Sequence, residues 1–351
     1  MTMKTMFFKL GILMLFLAIV AGCQKENSNG DPEKDLSLII VQSSGVKYAI
    51  VSPSTGKVLQ DITPGIHAGT NISSIDLGYL SQKVIFTAKE PGGTYVKLIY
   101  TCDRETGGNL MPITTKEQWD VQSLSASKTG PHIVFHGHPS DGGTNNSNLF
   151  KINIDGSGLM QLTQNKELVE GIELWYPWFP SWSPDGQRIA FRGTMRTQDP
   201  GGYWWGKSIL LMNADGGNKQ ILYNEADASS GEHFDLSWTT DGQFIVFRTN
   251  EHYSTPKERV KVLNVIDKSI IDITQQLMVD GLHTTNLCTS PLEQKILFNK
   301  HQPGGGDLHE IEYEITPTGQ FQIIGTYKVK CKVVDGALTY GAPKWQLWPG
   351  N

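Results

Sequence analysis

Histidines and large aromatic residues are the side chains of this sequence whose types and spacing could do chemistry. The stretch His136-Gly137-His138 places two imidazoles two residues apart, and Tyr203-Trp204-Trp205 places three aromatic rings in a row. Tryptophan and tyrosine offer large contact areas at a low entropy cost, so they suit sugar rings or the side chains of a partner. We therefore consider ten residues as candidates for ligand binding: His136, His138, Trp175, Tyr176, Tyr203, Trp204, Trp205, His233, His252 and His301.

The histidines could also share a metal ion, because neutral imidazole nitrogens are common ligands of divalent cations. Such a site would require at least three of six histidines to converge, namely His136, His138, His233, His252, His283 and His301. The alternative is a set of separate surface histidines. Both interpretations stay open, and the metal ligands are unknown at this stage.

Several motifs that would indicate an enzyme or a bound cofactor are absent from the sequence. There is no Gly-x-Ser-x-Gly elbow of the kind found in hydrolases, and no phosphate-binding loop that ends in Gly-Lys-Ser or Gly-Lys-Thr. The spacing of a calcium loop and a Cys-x-x-Cys zinc motif are also missing. We therefore expect no cofactor and no catalytic residues, and we favour binding over catalysis.

The elements that position these side chains are short strands that repeat along the chain. An apolar run that ends in Val or Phe recurs about every 50 residues, which is the period of propeller blades. The six runs are residues 39–41, 84–86, 133–135, 189–191, 245–247 and 296–298. Turn signals follow in phase, as in Ser183-Pro184-Asp185-Gly186, where Pro and Gly suit a tight turn.

The end of the chain supplies the strand that the first repeat lacks, since residues 342–350 parallel residues 179–186. We expect this last strand to pair with the strand that begins near Leu38, which closes the ring and removes its free edges. The sequence thus predicts an all-β fold, a six-bladed β-propeller of four-stranded antiparallel blades. Three tryptophans recur at one repeat position and are expected in the core between blades: Trp182, Trp238 and Trp345.

The fourth repeat resembles the repeat of TolB-type β-propellers. The resemblance rests on three segments: Trp182-Ser183-Pro184-Asp185-Gly186, residues 189–191, and Met212-Asn213-Ala214-Asp215-Gly216. The other repeats match more weakly, and together the repeats span residues 36–350. It implies the propeller fold. TolB itself has an additional α/β domain before its propeller, which we do not expect here. TolB is also soluble, whereas this chain carries a lipidation signal, so the Tol-system role is not implied.

Strand order in a propeller decides on which face each loop lies. If strands are counted a to d from the axis outward, the a–b and c–d turns share one face and the b–c and d–a loops share the other. The long, irregular loops of this sequence fall in the second class, and binding is usually carried by long loops on a rigid scaffold. We expect the ten candidates on this loop-rich face, around the channel mouth. For Trp204 and Trp205 a structural role, plugging the channel or covering seams between blades, is the alternative.

Residues 1–22 are expected to form a lipoprotein signal peptide. Lys4 and Lys9 precede an apolar segment that is short for a bilayer span, and the segment ends in Val20-Ala21-Gly22-Cys23, which resembles a bacterial lipobox. Acyl chains on Cys23 would anchor the protein to a membrane. The alternative is an ordinary signal peptide, or a membrane anchor helix, with a chance cysteine. Residues 23–35 read as a polar, flexible tether to a propeller of residues 36–351.

Net charge limits which partners are expected, and the cysteine count limits which disulfide bonds are expected. The chain of 351 residues has a formal charge of −5, and loss of the two lysines in residues 1–22 makes it −7. Nucleic acid is therefore not expected as a partner, since phosphate contacts need clustered Lys and Arg.

Three cysteines remain after Cys23. Buried free thiols are favoured over a Cys288–Cys331 bridge. We expect a monomer.

These observations lead to one expectation and its alternatives. We expect an exported lipoprotein of the bacterial cell envelope, at the outer membrane and facing the periplasm or the surface, that binds a protein or a glycan without catalysis. The main alternative is a metal-dependent polysaccharide lyase of the oligogalacturonate type, because propeller lyases with a similar repeat gather histidines around a metal. A peptide bound in the channel, as in TolB-type domains, is a third possibility.

Overall fold

The computed structural model describes residues 37–42, 48–62, 64, 72–78, 82–89, 96–115, 119–139, 147–199, 202–225, 233–250, 258–278, 284–300, 307–331 and 344–347. These residues form 25 β-strands and one short 3-10 helix, Thr274–Leu277. The strands make six antiparallel sheets, of which five have four strands and one has five. Within the described ranges, no helix has the length and the apolar character needed to cross a membrane.

Each sheet is built from strands that are consecutive in the chain, apart from the last strand. The first sheet contains β1 (Ser37–Gln42), β2 (Tyr48–Val51) and β3 (Val58–Ile62), and the second contains β4 (Ile72–Leu77), β5 (Lys83–Lys89), β6 (Lys97–Asp103) and β7 (Met111–Pro112). The third contains β8 (Trp119–Ala126), β9 (His132–Pro139), β10 (Asn148–Asn153) and β11 (Met160–Gln161).

The remaining three sheets repeat this order. The fourth contains β12 (Glu167–Val169), β13 (Ile172–Trp182), β14 (Arg188–Asp199), β15 (Gly202–Asn213) and β16 (Gln220–Glu225). The fifth contains β17 (His233–Trp238), β18 (Phe244–Asn250), β19 (Glu258–Asn264) and β20 (Ile270–Asp272). The sixth contains β21 (Thr284–Thr289), β22 (Lys295–Lys300), β23 (Leu308–Ile315) and β24 (Phe321–Cys331), and β25 (Lys344–Leu347) joins the first sheet beside β1.

The sheets are arranged as a propeller, because their first strands contact one another in a ring. β4 contacts β8, β8 contacts β13, β13 contacts β17, β17 contacts β21, β21 contacts β25, and β25 contacts β4. These six strands therefore form the inner ring, and the other strands of each sheet follow outward, except β12, which pairs with the opposite edge of β13. The expected all-β propeller of antiparallel sheets is confirmed.

Apolar runs such as the one in β5 form strands because both faces of each sheet are buried. Side chains alternate between the two faces of a strand. Val84 and Phe86 accordingly pack towards the first sheet, while Ile85 packs towards the third. A strand buried on both faces needs a continuous apolar run, which explains the pattern seen in the sequence. Trp182 and Trp238 also lie in the core between sheets, as expected, and each is 3% exposed.

The ring is closed by the two ends of the described chain. β1 pairs with β25 antiparallel, with Ile39 opposite Trp345, as the sequence predicted. Ile39 is fully buried and belongs to an apolar cluster that joins the first sheet to the sixth through Leu297 and Leu308. Five further clusters join the other neighbouring pairs of sheets. The packing therefore continues around the whole ring.

The a–b turn of the fourth sheet shows why the repeat needs its turn residues. Ser183 Oγ donates to the Asp185 carboxylate at 2.5 Å, and the Asp185 carboxylate accepts from the Gln187 N–H at 3.0 Å. Gly186 has a φ of +68°, which Gly adopts without strain. The fifth sheet uses Thr239 and Asp241 in the same way.

The fourth sheet differs from the expected four strands because the chain folds back before β13. Glu170 and Gly171 have positive φ values of 50° and 82°, which allow a tight reversal, and β12 then pairs with the start of β13. Cys102 is a buried free thiol, as expected, and Cys288 is buried as well. The side chain of Cys331 lies outside the described residues, so the Cys288–Cys331 alternative is untested.

Candidate functional site

The structure describes some candidate residues completely, some by their backbone alone and some not at all. Side chains are described for His136, His138, Trp175 and Tyr176. For Tyr203, Trp204, Trp205 and His233 the described part is the backbone within β15 and β17. His252 and His301 lie outside the described residues.

The fourth sheet contains a long two-stranded ribbon. β14 and β15 have 12 residues each and pair without a break from Arg188–Asn213 to Asp199–Gly202. At the far end of this ribbon, Trp205 is the register partner of Arg196, and Trp204 is the partner of Thr197. The ribbon thus carries the three consecutive aromatic residues at the end opposite to the tight a–b turn.

A group of aromatic and charged side chains lies near the same far end of this ribbon. We call Lys166, Glu173, Trp175, Tyr176 and Arg196 the loop-side platform. The ring of Trp175 lies 6.1 Å from that of Tyr176, measured between centroids. Two cations lie over the Trp175 ring, with Lys166 Nζ at 4.6 Å and Arg196 Cζ at 5.0 Å from its centroid. Cations are attracted to the electron-rich face of an indole.

Glu173 is the acidic member of the loop-side platform and contacts two of its other members. Its carboxylate accepts from Trp175 Nε1 at 2.9 Å and lies 3.8 Å from Arg196 Nη1. One carboxylate and two cations are therefore grouped around the Trp175 ring. The platform combines aromatic area with charged groups, and this combination suits a ligand that offers apolar area beside polar groups.

His136 lies deeper, below the platform, and is fully buried. Its ring stacks on Trp178 with centroids 4.5 Å apart, and Arg192 lies 6.0 Å from the same Trp178 ring. Burial lowers the pKa of His136 to about 3, and the charges of His138 and Arg192 act in the same direction. His136 is therefore neutral at physiological pH. Neither ring nitrogen has a hydrogen-bond partner among the described residues.

His138 has a structural partner. Its Nε2 lies 3.3 Å from the Asp120 carboxylate, which also accepts from the Lys97 N–H at 2.9 Å and from Gln122 Nε2 at 2.8 Å. Asp120 therefore ties the third sheet to the second. Among the described residues, no three His, Cys, Asp or Glu side chains are grouped closely enough to hold a metal ion. The other histidines of the metal hypothesis lack described side chains, so that hypothesis is untested.

One repeat position gathers polar side chains of which the sequence analysis had named only His136. In five sheets the residue after the last Phe of the strand-b apolar run is polar. We call these residues the polar belt, and they are Thr87, His136, Arg192, Arg248 and Asn299. The repeat alignment could have revealed them, because they occupy one position in successive apolar runs. The loop-side cations Lys166 and Arg196 were also missed, since the place of Lys166 depends on the β12–β13 hairpin and that of Arg196 on the register of β13 and β14.

Comparisons with known proteins support the fold and leave the function open. No family model matches the chain, and no curated protein matches it by sequence. A nidogen/laminin complex structure matches with a TM-score of 0.57 at 8% identity, over 89% of this chain and 99% of that chain.

Two bacterial proteins are similar at the same level. TolB from Acinetobacter baumannii matches with a TM-score of 0.54 at 16% identity, over 89% of this chain and 67% of that chain. An oligogalacturonate lyase from Vibrio parahaemolyticus matches with a TM-score of 0.50 at 14% identity, over 84% of this chain and 79% of that chain. At these identities the similarity concerns the fold alone, and a TolB-like propeller fits it.

Proposed function

We propose that this protein is an exported, lipid-anchored binding module of the bacterial cell envelope, without catalysis, whose six sheets are six blades. Its loop-rich face docks a protein or glycan that presents polar groups beside apolar area. The observation that carries this proposal is the loop-side platform, where Trp175 lies against Lys166 and Arg196 near the far end of the ribbon formed by β14 and β15. A rigid ring that displays such a group on one face is a common arrangement for recognition.

The envelope location rests on the leader and on the similarity in fold to TolB. Lys4, Lys9 and the Cys23 motif indicate export and acylation. Ser37 opens β1 at the end of the first sheet that corresponds to the a–b turn, and Tyr203 lies at the opposite, b–c end of the fourth sheet. A tether that enters there leaves the loop-rich face directed away from the membrane.

The binding role is tested by capture of envelope proteins in parallel with a panel of neutral and acidic glycans, using the full chain. Trp175→Ala and Lys166→Ala should each weaken capture of the ligand that the unchanged protein retains. Lys57→Ala is the matched control, because Lys57 is exposed on the opposite face, in the turn between β2 and β3. Equal binding by all three variants would contradict a role for the platform.

The anchor is tested separately by labelling cells with a radioactive fatty acid. The unchanged protein should take up the label and remain in the membrane fraction. Cys23→Ser should lose both properties, because it removes the thiol that would be acylated. If the Cys23→Ser protein stays labelled and membrane-bound, the lipoprotein assignment is wrong.

A further inference from the structure

The outermost strands of the six sheets differ in length, and the one in the sixth sheet is the longest. β24 has 11 residues, whereas the outermost strands of the other five sheets have between two and six. In the part of the chain that the structure describes, no strand pairs with β24 on the side away from β23. A long unpaired edge strand is a template for another chain, and short outer strands avoid such pairing. β24 is therefore the outer edge with the most room for an added strand.

Two aliphatic side chains of β24 are exposed. Ile324 is 40% exposed and Val329 is 47% exposed. Their register partners on β23 are Glu312 and His309, which are three residues apart and so lie on opposite faces of the sheet. β24 therefore presents one exposed aliphatic side chain on each face, and a strand paired alongside it would cover part of both.

The lysines of β24 have carboxylate partners on the neighbouring strand. Lys330 Nζ lies 3.1 Å from the Glu310 carboxylate, and the Lys330 side chain is 9% exposed. Lys328 Nζ lies 3.8 Å from the Glu312 carboxylate and is largely exposed. Lysines on an edge strand discourage pairing with a second chain through their charge. Because both of these lysines have a counter-charge within their own sheet, that deterrent is weakened here.

A wide bulge lies in the middle of β24. Between the register pairs Glu310–Lys328 and Glu312–Ile324, β23 has one residue and β24 has three. Since the two additional residues are an even number, side chains alternate in the same phase on both sides of the bulge. The bulge borders a cavity of about 250 Å³ whose lining includes Ile324 and Gly325. A Cβ atom at Gly325 would meet nothing within 4 Å, so there is open space beside the edge at this point.

We propose that this protein forms a dimer in which β24 pairs antiparallel with β24 of a second copy, about a two-fold axis at Thr326. A two-fold axis brings one surface patch against itself, so a single edge strand supplies both sides of the contact. The two sixth sheets then form one continuous sheet, and the exposed edge of each is removed. The dimer replaces the monomer expected from the sequence, and it uses other residues than the loop-side platform.

The side chains of β24 are compatible with this register. Val329 of one copy lies opposite Ile323 of the other, and the symmetry makes this apolar pair occur twice. Lys328 lies opposite Ile324, and no lysine of β24 lies opposite another charged residue. Cross-strand apolar pairs stabilise a sheet, and like charges placed opposite each other destabilise it. An axis at Lys328 would place lysine against lysine, whereas the axis at Thr326 combines the apolar pairs with the absence of like charges.

The test is sedimentation equilibrium of the full chain in a density-matched detergent, at several protein concentrations. The unchanged protein should have the mass of two chains and should dissociate on dilution. Ile324→Lys should raise the dissociation constant of the dimer at least about tenfold, because it places a lysine opposite Lys328 twice. Ile324→Glu should give a tighter dimer than Ile324→Lys, because a glutamate at this place faces Lys328 with the opposite charge.

The matched control is Leu292→Lys. Leu292 is 47% exposed and lies in the turn between β21 and β22 of the same sheet, so this variant reports on the general effect of a new surface lysine. It should dimerise like the unchanged protein, and so should Trp175→Ala, which separates the dimer from the proposed docking function. The mass of one chain at every concentration, or equal dissociation constants for Ile324→Lys and Leu292→Lys, would overturn the proposal.

Discussion

Ile39 and Trp345 are register partners across β1 and β25, although they belong to the two ends of the described chain. The first sheet is therefore assembled from both ends of the described chain. It is connected covalently to the sixth sheet only through the chain that leads into β25. The apolar cluster around Ile39 is the packing that holds this interface together.

Replacement of Ile39 by Ala should destabilise the whole ring, because Ile39 is fully buried and packs against the sixth sheet. We expect a loss of about 2–5 kcal/mol in the free energy of unfolding, measured by urea denaturation. Ile266→Ala is the control, since Ile266 is 77% exposed, and it should change stability by less than about 0.5 kcal/mol. Similar effects of both substitutions would argue against closure through Ile39.

Gly193→Ala should overpack the interface between the third and fourth sheets. A Cβ atom at Gly193 would lie 2.5 Å from Leu210 Cδ1 and 2.7 Å from Leu174 Cδ1, closer than carbon atoms can approach. Thermal unfolding should show a loss of roughly 1–3 kcal/mol. Gly217→Ala is a milder control, because its Cβ would lie 3.2 Å from the end of the exposed Asp215 side chain. A fully stable Gly193→Ala protein would mean that the leucines can move aside.

The free energy of unfolding should decrease as the pH falls, because His136 is held neutral in the folded protein. Its pKa in the folded protein is about 3, below the ordinary value of 6.5. Between these values the unfolded chain binds a proton that the folded protein does not, so acid favours unfolding. The contribution is at most about 1.4 kcal/mol per pH unit, beginning as the pH drops below 6.5. Urea denaturation from pH 7 to pH 4 should therefore show a shallower loss for His136→Gln than for the unchanged protein. Identical slopes would mean that His136 is not protected from protonation.

The turn carboxylates should titrate below the usual range because their own turns donate to them. The pKa of Asp155 is lowered from 3.8, first by the hydrogen bond from Ser157 Oγ and then by the Ser157 N–H. Ser157→Ala removes the hydroxyl and should raise the pKa of Asp155 towards its ordinary value. Carboxyl titration by NMR measures this directly.

Asp267 supplies the internal reference for that titration. Its pKa is lowered from 3.8 by the same kind of turn, through Ser269. In the Ser157→Ala protein the pKa of Asp267 should remain low while that of Asp155 rises. In the unchanged protein, stability from both groups is present above the ordinary aspartate value and is lost as the pH falls through the lowered one. An Asp155 pKa that does not respond to Ser157→Ala would contradict this account.

Much of the fold could be predicted because the repeat depends on local features of the sequence, namely apolar runs and turn residues. Runs such as 189–191 are apolar throughout because both faces of the sheet are buried, and Gly186 marks a turn that needs positive φ. The extra strand β12 was not predicted. It depends on a reversal at Glu170, a residue that rarely adopts positive φ, so its type gave no signal.

The site was predicted less completely than the fold. Trp175 and Tyr176 were named from residue type, whereas Lys166 and Arg196 could be placed against Trp175 only once the register of β13 and β14 was known. His138 was named as a ligand-binding candidate, but its hydrogen-bonding capacity is partly used by Asp120. The burial of His136 depends on Trp178 from the next sheet, a contact that no local pattern encodes.

The pairing of β1 with β25 also sets the order of events during biosynthesis. The first sheet remains one strand short until residues 344–347 have been synthesised, so the nascent chain exposes the unpaired edge of β1 until then. A chain truncated before residue 344 would keep that edge exposed, and an unpaired strand edge favours aggregation.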